Sequence, residues 1–510
     1  MTTMVVCPQC NRPAEIAPGE HPFCRQCDYP LFWVAPRNRP VVIDEPQQRG
    51  PAGPVCVVCR AANPADRALC VRCGQPLQPV APRRRRSWEV AVPVEEPRSG
   101  RRKLIIGVVA GVIMVALLAA LLYAAWYFLW PRSEWTSITL DQGESSWDIS
   151  ATTNRGIPVI AYVDAGDHTL RVVSCGNALC DAAQAAATYT TVGPIGEDGE
   201  GYGTAVAIGV DGRPIIAFRN GDRGALSVAH CGDPRCDDPG AITITEIDPG
   251  AGEPSSGVDN GGWPSIAIGA DGLPIIAYHD AARGALKIAH CEDGSCTRAT
   301  IAVLDRGGAT EGGDGVGTDT DIAIGPDDLP VVAFRDSEEQ ALKLAHCSDE
   351  RCTQAVISTV VREPGLDPGH NTSMRLAPDG SPMLVYGDWS ATEPGIYFAK
   401  CGSPSCESAT LRRVDDPTLG ETADPALGLD ADGLPVIAFR QREPGDERAS
   451  RILRVVRCQD AECSALSAPV DVDARGRTGY STSVMLLSDG TIALAYGDAT
   501  EGALEFAVYR

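Results

Sequence analysis

The sequence predicts an all-β fold whose main body is a seven-bladed β-propeller of four-stranded blades, and three observations predict it. A segment recurs at a near-constant period: the first cysteines of six Cys-x-x-x-x-Cys pairs stand 56, 60, 56, 54 and 57 residues apart. A seventh copy ends the chain one strand short. A stretch with the character of that missing strand, Trp135–Asp141, precedes the first copy. Pairing it beside the last segment closes a ring and removes exposed sheet edges.

Each blade reads the same way. In PSIAIGADGLPIIAYHDAARGALKIAHCEDGSC (Pro264–Cys296) a first strand, SIAIG, meets an Asp-Gly turn. A second strand, PIIAYHD, a short loop, a third strand, ALKIAHC, and a cysteine-bounded turn follow. A fourth strand such as AITITEID (Ala241–Asp248) completes the unit. Alternating apolar residues, β-branched side chains and Asp-Gly are what hairpins require. Thr204–Cys236 and Thr320–Cys352 are close copies. Weaker ones begin near Trp147, Thr372 and Pro425, and the last near Ser481, ending at ALEFAVY (Ala503–Tyr509). A composition with 53 Gly, 39 Pro and only 5% aromatics suits short strands and turns better than helices.

Charge divides the chain. Residues 1–130 carry 16 Lys+Arg against 9 Asp+Glu, whereas residues 131–510 carry 28 against 58, a net charge of −30. So acidic a body argues against nucleic acid as its partner. At the division, Leu104–Trp130 is uncharged and long enough to cross a bilayer, with Tyr123, Trp126, Tyr127 and Trp130 at its end. Arg83–Arg86, Arg98, Arg101, Arg102 and Lys103 precede it, so the expected topology is single-pass, with residues 1–103 cytoplasmic and 131–510 extracytoplasmic. Gly107 and Gly111 form a small-residue pattern of the helix-pairing kind, which raises a homodimer through this helix.

The 20 cysteines fall into two sets. Before the span, Cys7, Cys10, Cys24 and Cys27, then Cys56, Cys59, Cys70 and Cys73, form paired CxxC knuckles, a spacing suited to two four-thiolate structural zinc ions. CVVCRAANPADRALCVRCGQPL (Cys56–Leu77) resembles the bacterial zinc-ribbon family, and the first copy resembles it more loosely; the resemblance implies a zinc-held fold and no particular chemistry. The expected organisation is ribbon one at 1–35, a linker at 36–53, ribbon two at 54–80 and a basic linker at 81–103. The span follows at 104–130 and the propeller at 131–510.

After the span, Cys175/Cys180, Cys231/Cys236, Cys291/Cys296, Cys347/Cys352, Cys401/Cys406 and Cys458/Cys463 are expected as six hairpin disulfides. Their Cα atoms would face one another across an antiparallel pair, in an oxidising compartment. With the closing strand a few residues past Trp130, the face bearing these turns is expected toward the bilayer.

The opposite face receives the long acidic loops Gly193–Gly203, Asp248–Trp263 and Asp305–Asp321. It also receives the ends of the second strands, with Asp164, Asp280, Asp336, Asp388 and Asp498 at corresponding positions and Asn220 and Gln441 in two copies. Those aspartates are candidate ligands for calcium or a cation; the competing reading has them capping turns. His230, His290 and His346 recur with the blade and are read as serving it, and His168, His279 and His370 form no usable spacing. No GxSxG, HExxH, Walker or dinucleotide motif is present, nor the Ser-x-Asp-x-Gly-x-x-Trp boxes or arginine cluster of sialidase-type propellers. The expectation is therefore a non-enzymatic module that recognises a protein or surface ligand. The alternative is a glycosidase- or lyase-like propeller, distinguished by a cleft with two carboxylates beside aromatic platforms.

Overall fold

A computed structural model describes residues 3–6, 13–16, 135–142, 146–181, 186–196, 203–249, 260–307, 315–442 and 451–509. The chain divides into two compact units, Met1–Ala119 and Ala120–Arg510. In the first, Thr3–Val6 pairs antiparallel with Pro13–Ile16. The eight CxxC cysteines, the run Leu104–Trp130 and most of the three acidic loops lie outside the described residues. Among the described residues no helix is long and apolar enough to cross a membrane.

The second unit is a propeller of seven four-stranded antiparallel sheets. The closure is the expected one. Trp135–Gln142 is the outer strand of the last blade, beside Ala503–Tyr509, with Ile138 opposite Phe506. Six blades are continuous in sequence and the seventh joins the two ends of the unit, so the ring has no open seam.

The core lies between blades. The second strand of every blade carries one aromatic, Tyr162, Phe218, Tyr278, Phe334, Tyr386, Phe439 or Tyr496, each at most 2% exposed. Each second strand is buried on both faces, which is why its sequence reads as an unbroken apolar run. At the closing junction Tyr162, Ile160 and Ile149 pack against Phe506, Met485 and Leu140.

Two local features differ from the sequence reading. The innermost strands begin earlier than expected, as at Asn260–Ile268 and Val316–Ile324, because each contains a bulge. The bulged residue has positive φ (Trp263 46°, Asp319 51°, Asn371 49°, Asp424 51°, Ser481 46°), which interrupts the alternation at that point.

The disulfides are the second difference. All six expected bonds form, Cys175–Cys180, Cys231–Cys236, Cys291–Cys296, Cys347–Cys352, Cys401–Cys406 and Cys458–Cys463, with Cα–Cα separations of 4.7–5.1 Å. Their expected geometry needs correction, because they do not join residues opposed across a ladder. Cys291 faces Ala299, and Cys401 faces Ala409. The second cysteine of each pair, Cys180, Cys236, Cys296, Cys352, Cys406 or Cys463, lies beyond the third strand, in the left-handed region with φ of 52–55°. Each donates its N–H to the carbonyl three residues back: Cys180 to Asn177, Cys236 to Asp233, Cys296 to Asp293, Cys352 to Asp349, Cys406 to Ser403 and Cys463 to Asp460. A tight turn, rather than strand pairing, brings the sulfurs together.

Near the start of the inner strand of five blades, a side chain accepts a backbone N–H of the next blade. Ser483 takes the amide of Ala151, Ser150 that of Val206, Ser265 that of Ile322, Asp321 that of Met374 and Ser373 that of Leu427. Ala205 and Ala426 hold the same position in the two remaining blades and offer no acceptor. This belt binds the inner strands around a polar central channel of about 370 Å³.

Candidate active site

On the face opposite the disulfide turns, neighbouring blades are clasped by buried charge. In the third blade, Lys287 Nζ lies 2.8 Å from Asp280 of its own second strand and 2.8 Å from Asp248, which ends the preceding blade. Tyr278 donates to the same Asp248 at 2.6 Å. In the fourth, Lys343 meets Asp336 at 2.5 Å and Asp305 at 3.7 Å. Burial opposes the Lys343 charge, but Asp336 and its neighbours outweigh that and raise its pKa. In the first, Arg171 binds Asp164 at 2.7 Å and Asp141 at 3.1 Å. The seventh reverses the signs, with Arg475 between Asp473 (2.7 Å) and Glu505 (3.1 Å).

The five aspartates singled out in the sequence sit at corresponding strand ends, each serving its own turn. Asp164 accepts the amide of Gly166, Asp280 that of Arg283, Asp336 those of Glu338 and Glu339, Asp388 that of Ser390, and Asp498 that of Thr500. Gln441, in one of the two exceptional copies, accepts from Arg454 at 2.6 Å.

The expected metals require correction. Among the described residues no group of three or more His, Cys, Asp or Glu could hold a metal ion. The described cysteines, from Cys175 and Cys180 through Cys401 and Cys406 to Cys458 and Cys463, are oxidised in pairs, and a disulfide sulfur has no thiolate to offer a metal. Three of the five aspartates are neutralised by Arg or Lys. Calcium at the five aspartates is not carried forward, and the eight cysteines expected to hold zinc lie outside the described residues. His230 and His346 each lie 3.0 Å from the Asp of the first turn in their blade, Asp211 and Asp327, and so serve the repeat.

The fifth blade breaks the clasp. Opposite the buried aromatic, four blades have Arg171, Lys287, Lys343 or Arg454, the second has Ser227, the seventh Glu505, and this blade Tyr397. Asp388 is buried, yet makes no ion pair among the described residues; its Oδ1 takes the amides of Ser390 (2.9 Å) and Asp367 (3.3 Å). The next residue is Trp389, where the other blades have Ala165, Gly221, Ala281, Ser337, Arg442 and Ala499. A cleft of about 870 Å³ opens here, between blades five and six. Asp388, Trp389, Glu393, Tyr397 and Glu421 line it together with Arg413, Arg440 and Arg451.

Trp389 is 55% exposed, yet its inner face is fixed. The indole stacks on His370 at 3.9 Å with planes 7° apart, and His370 Nε2 lies 3.1 Å from Asp367. The buried Arg335 holds the other Asp367 oxygen at 2.7 Å, and the Asp367 carbonyl accepts the Trp389 amide. Burial works against the Asp367 charge, but hydrogen bonds from Arg335 and His370 outweigh it and hold the carboxyl below its usual range. An indole anchored on one face and open on the other is a stacking platform.

Tyr397 lies beneath the Arg413 guanidinium, 5.7 Å from its ring centre, and donates to the Glu393 carbonyl at 3.2 Å. Desolvation raises its phenol pKa; Arg413 opposes this, while Glu393, Asp388 and Asp415 add to it. Asp424, beside the cleft, is likewise pushed up by burial, with Arg440 partly offsetting the shift. The channel carboxyls Asp319 and Asp321 are raised for the same reason.

Three arginines apart in the sequence meet at this cleft. Arg413, Arg440 and Arg451 come from three strands of two blades. His370, which formed no usable spacing, lies under the platform. The readable signal was positional: an aromatic at 389 and at 397, where the repeat elsewhere has small or charged residues.

No protein-family model matches the chain, and no curated protein matches it. Solved structures match over the propeller. An ulvan lyase bound to -[GlcA(1-4)Rha3S]- has a TM-score of 0.55 at 8% identity, covering 73% of this chain and 96% of that one. The α-L-arabinanase of Penicillium chrysogenum complexed with arabinobiose has a TM-score of 0.40 at 12% identity, covering 60% and 92%. The expectation of a non-enzymatic module is corrected by the first of these comparisons, a polysaccharide lyase that matches over 73% of this chain, and is not carried forward. At such identities the likeness establishes the shared propeller fold, and the chemistry has to be argued from the cleft.

Proposed function

We propose that the propeller cleaves a polysaccharide, by lyase- or glycosidase-like chemistry, in the cleft between blades five and six. The observation that carries this is a combination found in the fifth blade: Tyr397 stands where four blades have a cation, and Asp388, without an ion-pair partner among the described residues, lies beside the anchored platform Trp389 in an open cleft. A sugar ring stacks on an exposed indole through its apolar C–H face. Breaking a glycosidic bond by hydrolysis or by elimination requires a proton for the departing oxygen and a group that takes one. Tyr397, its pKa raised, keeps its proton at neutral pH and serves as donor; the carboxylates of Asp388 and Glu393 are the acceptors at hand. The lyase fold match supports the same reading at the level of architecture. The six disulfides support an oxidising compartment for this chemistry.

Purified full-length protein incubated with a panel of neutral and acidic polysaccharides tests it. Cleavage appears as new reducing ends, and elimination additionally as ultraviolet absorbance from an unsaturated uronyl product. Trp389→Ala is expected to raise KM about ten-fold or more. Tyr397→Phe is expected to lower kcat by about 100-fold. A Tyr397→Phe enzyme cleaving at the native rate, or a panel left wholly intact, overturns the proposal.

A further inference from the structure

The three arginines of the cleft are not equivalent. Arg413 is engaged through Nε and Nη2, which bind both Asp415 oxygens, at 2.9 and 3.2 Å, and the Pro394 carbonyl at 2.7 Å. Arg451 lies at the rim, 30% exposed and 3.2 Å from Glu421. Arg440 differs from both. Its side chain is only 12% exposed, its Nε is held by Asp424, and its guanidinium lies over the Tyr480 ring at 4.1 Å. Its Nη1 is buried with no acceptor among the described residues.

A buried guanidinium nitrogen without an acceptor is destabilising, and a native structure that retains one calls for an explanation. Asp424 and Tyr480 fix the orientation of the group without using its whole donor fork. A fixed, partly unused guanidinium in a cleft matches the geometry of a carboxylate or sulfate, which it binds through charge-assisted, two-pronged hydrogen bonds. The acidity of the domain as a whole gives an anion no other reason to settle here.

We propose that Arg440 is the receptor for an acidic group of the glycan, a uronate carboxylate or a sulfate ester, on the sugar unit seated at Trp389. This rests on the reading of the cleft as the glycan site and adds the charge of the substrate to it. Arg440 reads the charge, and the platform reads the ring. Arg451 gives a second, solvent-exposed positive charge at the entrance.

Titration calorimetry on the full-length protein tests this with three oligosaccharides of equal length: one bearing uronates, one bearing sulfate esters, and one uncharged. The native protein is expected to bind one of the acidic ligands at least about ten-fold tighter than the uncharged one, the size of a hydrogen bond to a charged group. Whichever acidic ligand shows the preference identifies the group. Arg440→Met, which keeps an apolar stem over Tyr480, is expected to abolish the preference, weakening the acidic ligand at least about ten-fold and the uncharged ligand by less; Arg440→Lys is expected to restore only part of it. Equal affinity of the native protein for acidic and uncharged ligands overturns the charge assignment while the glycan site stands, as does a preference that persists in Arg440→Met. Binding of the uncharged ligand that survives Trp389→Ala overturns the site itself.

Discussion

Blades three and five are built on the same strands, and at the equivalent position of the third strand they do opposite things. At blade three, Lys287 neutralises Asp280 and Asp248 and is itself buried between them. In blade five the corresponding residue is Tyr397, the aspartate keeps its place, and a cleft opens beside it. The repeat supplies a buried carboxyl at such turns for structural reasons. In the proposed function, the exchange of a cation for Tyr397 beside Trp389 turns one such strand end into a site.

The largest effect is expected from reversing that exchange. Tyr397→Lys places a cation where Lys287 and Lys343 stand and lets it pair with Asp388. Cleavage is expected to fall by about 100-fold or more, with thermal stability unchanged or raised. A variant that loses stability along with activity would break the equivalence of the two positions. Next in size, Lys287→Met should leave Asp248 without a cation and Asp280 with only the exposed Arg283, and cost about 3–5 kcal/mol in urea denaturation, whereas Tyr397→Phe should cost less than about 1 kcal/mol.

The belt around the channel gives a smaller contrast. Ser483→Ala removes the acceptor of the Ala151 amide and should cost about 0.5–1.5 kcal/mol, while Ala205→Ser, supplying an acceptor where the belt lacks one, should stabilise. Equal and negligible shifts in both melts would show that the belt carries no load.

The smallest effects concern acid, and they differ in sign between channel and platform. Asp321 has a raised pKa, so its contribution is favourable below the unfolded value of about 3.9 and is lost as pH rises through the folded value. Asp321→Asn keeps an acceptor for the Met374 amide and should raise the melting temperature at about pH 7 by about 1–2 °C, with no gain at about pH 3. Asp367 has a lowered pKa, so its contribution is present above about 3.9 and is lost as pH falls through the folded value. Asp367→Asn should therefore destabilise at neutral pH and matter less in acid.

The ring was legible in the sequence because it repeats. A period, an orphan first strand and a truncated last copy are each visible in one dimension, and Ile138 duly faces Phe506. The disulfide pairing was legible for the same reason. The left-handed turn at Cys180, Cys236, Cys406, Cys463 and their counterparts was not, since spacing does not reveal φ. The cleft was only half legible. Asp388 was found because it repeats, but what distinguishes it is the company of Tyr397, Trp389 and three arginines from separate strands, brought together by an inter-blade contact that no local pattern encodes. Aligning the copies and asking where an aromatic replaces a small or charged residue would have pointed to Trp389 and Tyr397.

The most direct measurement is a structure of the full-length protein with a bound oligosaccharide product of its cleavage. The account predicts a sugar ring lying flat on the outer face of Trp389, with the cleaved end beside Tyr397 and Asp388. A sugar seated instead in the central channel, or on the face of the disulfide turns, would contradict it.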